Sequence, residues 1–181
     1  MALINTTTTG VLGSTFFGDG TGSLTVQQNG VTLGIFGNQP AFFVRPSAGQ
    51  TVTFATATKI QFNTKDFDTN NNFDNTTNYR FTPTVAGYYQ ISASLRATGS
   101  TTNTQSVLSI YKNGSSYISQ VVSETNITKF PTVSALISMN GTTDYIEFYG
   151  NITGTGTATF GTTNADGSYV TWASGVLVRA A

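Results

Sequence analysis

In this 181-residue chain, the side chains best suited to chemistry lie between 66 and 74. Asp66, Asp68, Asn70, Asn72 and Asp74 place an oxygen ligand at every second position. Carboxylate and amide oxygens in that spacing suit a hard cation such as calcium. A calcium loop of this type also needs a glycine at its sharp bend and a bidentate Glu to close it. This segment has no Gly, and Thr77 stands where the Glu belongs. A solvated polar loop therefore outweighs a metal site, with Asp66, Asp68 and Asp74 as the weak metal candidates.

Acid–base and nucleophilic chemistry have few other places to go. The chain has no His and no Cys. Ser–His and Cys–His arrangements, thiol catalysis, disulfides and zinc–thiolate sites are thereby excluded. Asp144 and Glu147 are close in sequence, but a separation of three puts them on opposite faces of a strand. They read as a turn residue and a surface charge, not a catalytic pair. The Gly-rich run from Gly154 to Gly161 follows a strand and opens no helix, so it cradles no phosphate and reads as a mobile connecting loop. No cofactor is expected.

Binding side chains are more plentiful. Trp172 is the single Trp, and Tyr88, Tyr89, Tyr145 and Tyr149 flank strand-like runs. Alternation buries some of these rings. Tyr88, Tyr145, Tyr149 and Trp172 are the candidates for a protomer interface or for stacking on a sugar, since aromatic side chains are enriched at interfaces. Asn-x-Ser/Thr triplets begin at Asn75, Asn113, Asn126, Asn140 and Asn151, as chance dictates in a chain so rich in Asn, Ser and Thr.

The elements that must position these residues are strands. Helical periodicity is absent, and apolar–polar alternation recurs. In GYYQISASLRA, Tyr89, Ile91, Ala93 and Leu95 fall on one face. Asn-Gly pairs at 29–30, 113–114 and 140–141 sit between strand-like runs, and each predicts a hairpin. Residues 1–40 are too thinly apolar for a core of their own and read as an N-terminal β arm. Residues 41–181 hold about ten short strands, the pattern of an all-β antiparallel sandwich or jelly roll.

Charge narrows the partners. Charged residues make up 9% of the chain and sum to zero. Arg45, Lys59, Lys65, Arg80, Arg96, Lys112, Lys129 and Arg179 are scattered, so no nucleic-acid partner is expected. No stretch reaches the ~20 apolar residues of a membrane span, and membrane insertion is not expected. The start, MALINTTTTGVLGSTFF, lacks the basic opening and apolar run of a secretory signal.

The run FDNTTNYRFTPTVAGYYQISASL resembles the signature of the complement component one-q globular head and its tumour-necrosis-factor-like relatives, through Phe81, Pro83, Gly87 and Tyr89. IYKNG, DYIEFYG and the closing WASGVLVRA, with Ser174, Gly175, Val176 and Leu177, follow in the family's order. The resemblance covers roughly residues 41–181. It implies a ten-stranded jelly roll that forms homotrimers and serves as a binding head or structural knob, not an enzyme. No collagen-like repeat precedes the head, so any stalk is of another kind. The segment GDGTGSLTVQQNGVTLG resembles N-terminal repeats of structural proteins from tailed bacteriophages, especially marine and cyanobacterial ones.

The expected protein is therefore a non-enzymatic component of a bacteriophage virion surface. It is read as a homotrimeric fibre, spike or head-decoration knob, docked to other virion proteins through residues 1–40, with a host-surface glycan as a possible ligand. The alternatives are a stand-alone carbohydrate- or protein-binding module and a glycan-cleaving enzyme built on paired carboxylates.

Overall fold

Short runs of β-branched and aromatic residues, broken by Gly, Asn and Pro, favour strands over helices. The structure is a computed structural model. It describes residues 39–181 in full and residues 15–18, 24–28 and 31–36 as backbone strands. No helix occurs among the described residues.

The chain divides into two compact units, Met1–Gln39 and Pro40–Ala181. In the first, β1 (Thr15–Gly18), β2 (Leu24–Gln28) and β3 (Val31–Phe36) form an antiparallel sheet in that order. Gln28 lies opposite Val31, as a hairpin about 29–30 requires. The Asn29-Gly30 turn itself lies outside the described residues.

The second unit holds β4 (Ala41–Arg45), β5 (Gln50–Val52), β6 (Thr58–Lys59), β7 (Thr64–Asp68), β8 (Phe73–Asp74) and β9 (Arg80–Phe81). There follow β10 (Gly87–Ser94), β11 (Arg96–Gly99), β12 (Thr102–Lys112), β13 (Ser115–Val122), β14 (Thr128–Lys129) and β15 (Thr132–Met139). The last three are β16 (Ile146–Thr155), β17 (Ala158–Gly161) and β18 (Trp172–Ala180). A five-stranded sheet runs β15-β10-β18-β4-β7, and a six-stranded sheet runs β13-β12-β16-β9-β8, with β6 beside β16. A further four-stranded sheet runs β14-β11-β17-β5. Neighbours distant in sequence, all antiparallel, make this a jelly-roll sandwich.

The alternation does what the sequence implies. Tyr89, Ile91, Ala93 and Leu95 are all buried in the core. They meet Phe81, Leu108, Ile110, Ile146, Phe148 and Ile152 in one hydrophobic cluster. Ring contacts cross the layers: Phe42 lies 4.5 Å from Phe81, which meets Tyr89 edge-on at 5.5 Å. The Phe81–Pro83–Gly87–Tyr89 motif is thus structural. Phe81 and Tyr89 fill the core, and the Tyr89 hydroxyl donates to Val85 O at 2.8 Å.

Some local expectations change. Asn113 (φ 53°) and Gly114 (φ 79°) form a tight turn of the mirror-image type, and β12 pairs with β13 as expected. Asn140-Gly141 does not close a hairpin. β15 pairs with β10, and β16 pairs with β12, so residues 140–145 cross between sheets. Asn140 Oδ1 accepts from the backbone of Thr142, Thr143 and Asp144, which opens a wider loop than a two-residue turn. The run from Gly154 to Gly161 is not a loop: β16 extends to Thr155 and β17 begins at Ala158. Strands outnumber the expected ten because long runs break. Consecutive burial of Ser94 and Leu95, for example, separates β10 from β11.

Candidate functional site

The outer face of the five-stranded sheet is built by strand parity. Residues 173, 175 and 177 of β18 point into the core, so Trp172, Ser174 and Val176 point out. Register then lines up rows across the sheet. Leu136, Gln90, Val176 and Ala41 form one row, and Ser134, Ser92, Ser174, Phe43 and Phe67 the next. Tyr88, Leu136, Val176, Val178 and Phe67 are all exposed. Trp172 stacks on Phe43 at 5.8 Å. The polar members satisfy one another: Gln90 Nε2 donates to Ser134 Oγ, and Ser92 Oγ pairs with it at 2.8 Å. Charge enters only at the margins, through Arg179 and the Arg45–Asp66 pair.

A second apolar surface is β13. Among the described residues it pairs only with β12, and it ends the six-stranded sheet. Tyr117, Ile118 and Val121 are exposed, on both sides of the strand, and β13 carries no charge and no Pro. An uncharged edge strand offers unpaired backbone groups to another chain.

The outer face of the six-stranded sheet is polar and aromatic. Tyr111, Glu147, Arg80 and Asp74 are aligned across β12, β16, β9 and β8. Tyr111 stacks on Tyr149 at 4.1 Å. Lys59 Nζ lies 2.5 Å from Glu147 Oε1 and donates to Asn78 O at 3.1 Å. Burial, then the nearby Glu147 charge, pushes the Tyr149 hydroxyl above its ordinary range. The Arg80 guanidinium lies 4.5 Å from the centre of the Tyr145 ring. The expected aromatic candidates are therefore divided. Tyr88 and Trp172 belong to one sheet face, Tyr149 lies on β16 of the opposing sheet, and Tyr145 sits in the crossing segment just before that strand.

The three carboxylates considered for a metal are not pooled. Asp66 pairs with Arg45 at 2.9 Å. Asp68 accepts from Asn72 N and Phe73 N and pairs with Lys65 at 3.3 Å. Asp74 accepts from the backbone of Thr76, Thr77 and Asn78 and from the Asn78 amide. Those donors, Thr77 N first, hold its carboxyl well below the usual range. Among the described residues, no three His, Cys, Asp or Glu side chains come together as metal ligands would.

Asp144 and Glu147 likewise have separate partners. Asp144 takes Asn113 Nδ2 at 2.8 Å and Lys112 at 3.0 Å, and the amide hydrogen bond lowers its carboxyl below the ordinary range. Glu147 is not the surface charge its sequence position implies. It is buried beneath its Lys59 contact. Sequence spacing also gives no hint that Lys129 is buried. Its Nζ donates to Asn103 O and Asn126 O, and burial pushes its ammonium below the usual range.

Comparison with known structures follows the same lines. The globular domain of zebrafish complement 1qA protein superposes with a TM-score of 0.56 at 16% identity, covering 78% of this chain and 99% of that one. Murine APRIL at pH 8.5 superposes with a TM-score of 0.54 at 10% identity, covering 77% of this chain and 99% of that one. At such identities the likeness is one of fold, and it matches the resemblance carried by Phe81, Pro83, Gly87 and Tyr89. No family model matches the sequence, and no curated protein is similar to it in sequence.

Proposed function

We propose that this chain, a jelly-roll head with the fold of the complement 1qA globular domain and APRIL, is a non-enzymatic homotrimeric knob of a bacteriophage particle. The observation that carries the trimer is the outer face of the five-stranded sheet, where Tyr88, Leu136, Val176 and Val178 stand exposed and charge enters only at the margins, at Arg179 and the Arg45–Asp66 pair. An apolar face of that kind is covered in a stable soluble assembly. The exposed edge strand β13 is a different surface on the same head. A face on one protomer and an edge on the next make a head-to-tail contact, and such contacts close into rings when the rotation permits. Both parts supply apolar side chains with few charges to desolvate.

The virion part of the reading rests on the low-charge, Thr- and Asn-rich composition and on the bacteriophage-like segment GDGTGSLTVQQNGVTLG. Residues 1–40 are its attachment arm. The head is a surface fibre, spike or decoration protein, and the separately engaged carboxylates give it no acid–base pair.

Light scattering tests the trimer: the expected mass is three times the 19.1 kDa protomer. A monomer at micromolar concentration sinks it. Antibody raised against residues 41–181 should decorate purified particles from a producing culture, and particles lacking residues 1–40 of the chain should lose the label. Unlabelled wild-type particles exclude the virion role.

A further inference from the structure

We propose that the polar cleft over β8 and β9 binds a carboxylate-bearing saccharide, with the Arg80 guanidinium holding the carboxylate. The cleft has a volume of about 540 Å³, room for one or two sugar units. Apart from Phe73, every residue lining it is polar, and Asn75, Asn78, Thr82 and Thr84 contribute amides and hydroxyls to the lining beside Arg80. Sugar hydroxyls both donate and accept, and this lining offers partners of both kinds.

The charges in the cleft decide which sugar. Asp74 stands opposite Arg80 on β8, and Glu147 stands opposite it on β16. Neither pairs with it. The Asp74 carboxylate is filled by donors from Thr76, Thr77 and Asn78. Glu147 is held by Lys59. Lys65, which also lines the cleft, is occupied by Asn71 Oδ1 at 2.6 Å and by Asp68.

Arg80 alone in this cleft keeps its fork unused. Its guanidinium makes no hydrogen bond or ion pair with the described residues, and it rests against the Tyr145 ring. Contact with a ring face leaves the N–H edge of a guanidinium open, and that edge matches a carboxylate with two parallel hydrogen bonds. A single unengaged cation in an amide-rich cleft, whose Lys65 and Asp74 charges are each held by other partners, fits one carboxylate among hydroxyls. A polyanion such as nucleic acid needs several clustered cations.

The inference deepens the reading of the head as a surface knob, because three clefts on one trimer bind a multivalent glycan far more tightly than one. The test is titration of the full chain with oligogalacturonate, its methyl ester and a neutral galactan. Saturable binding of the oligogalacturonate is expected, with the ester and the galactan weaker by about tenfold or more. Arg80→Met should lose about as much, and Arg80→Lys, which keeps the charge without the fork, should fall between. Competition on the unaltered chain by free galacturonate, and not by free galactose, gives the same answer without a variant.

Equal affinity for the ester, for a sulfated neutral glycan, or for the Arg80→Met chain overturns the assignment, as does no binding at all. Light scattering on the same samples separates the two readings. A trimer that binds no acidic sugar sinks the cleft alone, and a monomer that binds one sinks the trimer alone.

Discussion

Lys59 and Glu147, 88 residues apart in the chain, meet at 2.5 Å on the outer face of the six-stranded sheet. The contact fastens the two-residue strand β6 to β16 and reaches on to the 76–80 segment through Asn78 O. The Glu147 side chain is 7% exposed and that of Lys59 is 28% exposed. Removing one partner of a fully buried pair costs about 3–5 kcal/mol, because the other charge is stranded. Exposure of Lys59 lets water reach the stranded carboxylate, so Lys59→Met should cost about 2 kcal/mol. That corresponds to a fall in Tm of about 6 °C. The double replacement Lys59→Met with Glu147→Leu should recover most of the loss. Thermal melts of the three variants check it, and a Lys59→Met chain melting with the wild type would show that the pair contributes nothing.

Acid should unfold the head late. Asp74 and Asp144 both have carboxyls lowered in the folded state, chiefly by backbone donors and by Asn113 respectively. A lowered carboxyl contributes stability above its unfolded value, about 3.9, and loses it as pH falls through the folded value. The chain has no His to titrate between them and neutrality. The Tm should therefore be level from about pH 5 to 8 and drop only below about pH 4. Asp74→Asn should flatten part of that acid limb and cost about 1 kcal/mol at neutral pH.

The alkaline side belongs to tyrosines, Tyr89 first and then Tyr149. Burial pushes the Tyr89 hydroxyl up to about 12. A raised group contributes stability below its unfolded value, about 10 for Tyr, and loses it as pH climbs toward the folded value. Melts between about pH 10 and 12 should show a steep loss of stability. Tyr89→Phe should remove much of that slope while giving up the bond to Val85 O, a cost of about 1 kcal/mol.

Val176 is 41% exposed in the single chain, in register with Gln90 on β10 and Ala41 on β4. Val176→Asp touches little inside the protomer, so its effect on protomer folding should stay within about 0.5 kcal/mol. In a trimer it buries an unpaired carboxylate. The variant should scatter as a 19.1 kDa species with an unchanged β-sheet circular dichroism spectrum. A Val176→Asp trimer would place the interface elsewhere.

The glycine of the closing Ser-Gly-aliphatic motif has a packing reason. A Cβ on Gly175 would lie 2.4 Å from the Phe42 ring and 2.7 Å from Ile91 Cδ1. Both neighbours are core side chains with nowhere to move. Gly175→Ala should destabilise the head by about 1–3 kcal/mol by overpacking, measurable by urea unfolding.

Much of the head was legible from residue order alone, because alternation is local. A period of two sets which side of a strand faces inward, and Tyr89, Ile91 and Ala93 obey it. The Asn113-Gly114 turn was legible for the same reason: two adjacent residues with positive φ close one hairpin. The lack of His and Cys removes whole classes of chemistry whatever the fold.

Tertiary structure decided what depends on distant partners. Strand pairing is chosen by packing across the sandwich, so β15 lies beside β10 and not beside β16, although Asn140-Gly141 looks locally like a second hairpin. The binding groups follow from that pairing. Aromatic candidates alike in sequence part to opposite sheets, as Trp172 and Tyr149 do. Arg80 has no hydrogen-bond or ion-pair partner among the described residues because its cross-strand neighbours Asp74 and Glu147 find donors elsewhere, in the 76–78 turn and in Lys59. Charge compensation is a property of neighbours in space, and no spacing along the chain encodes it.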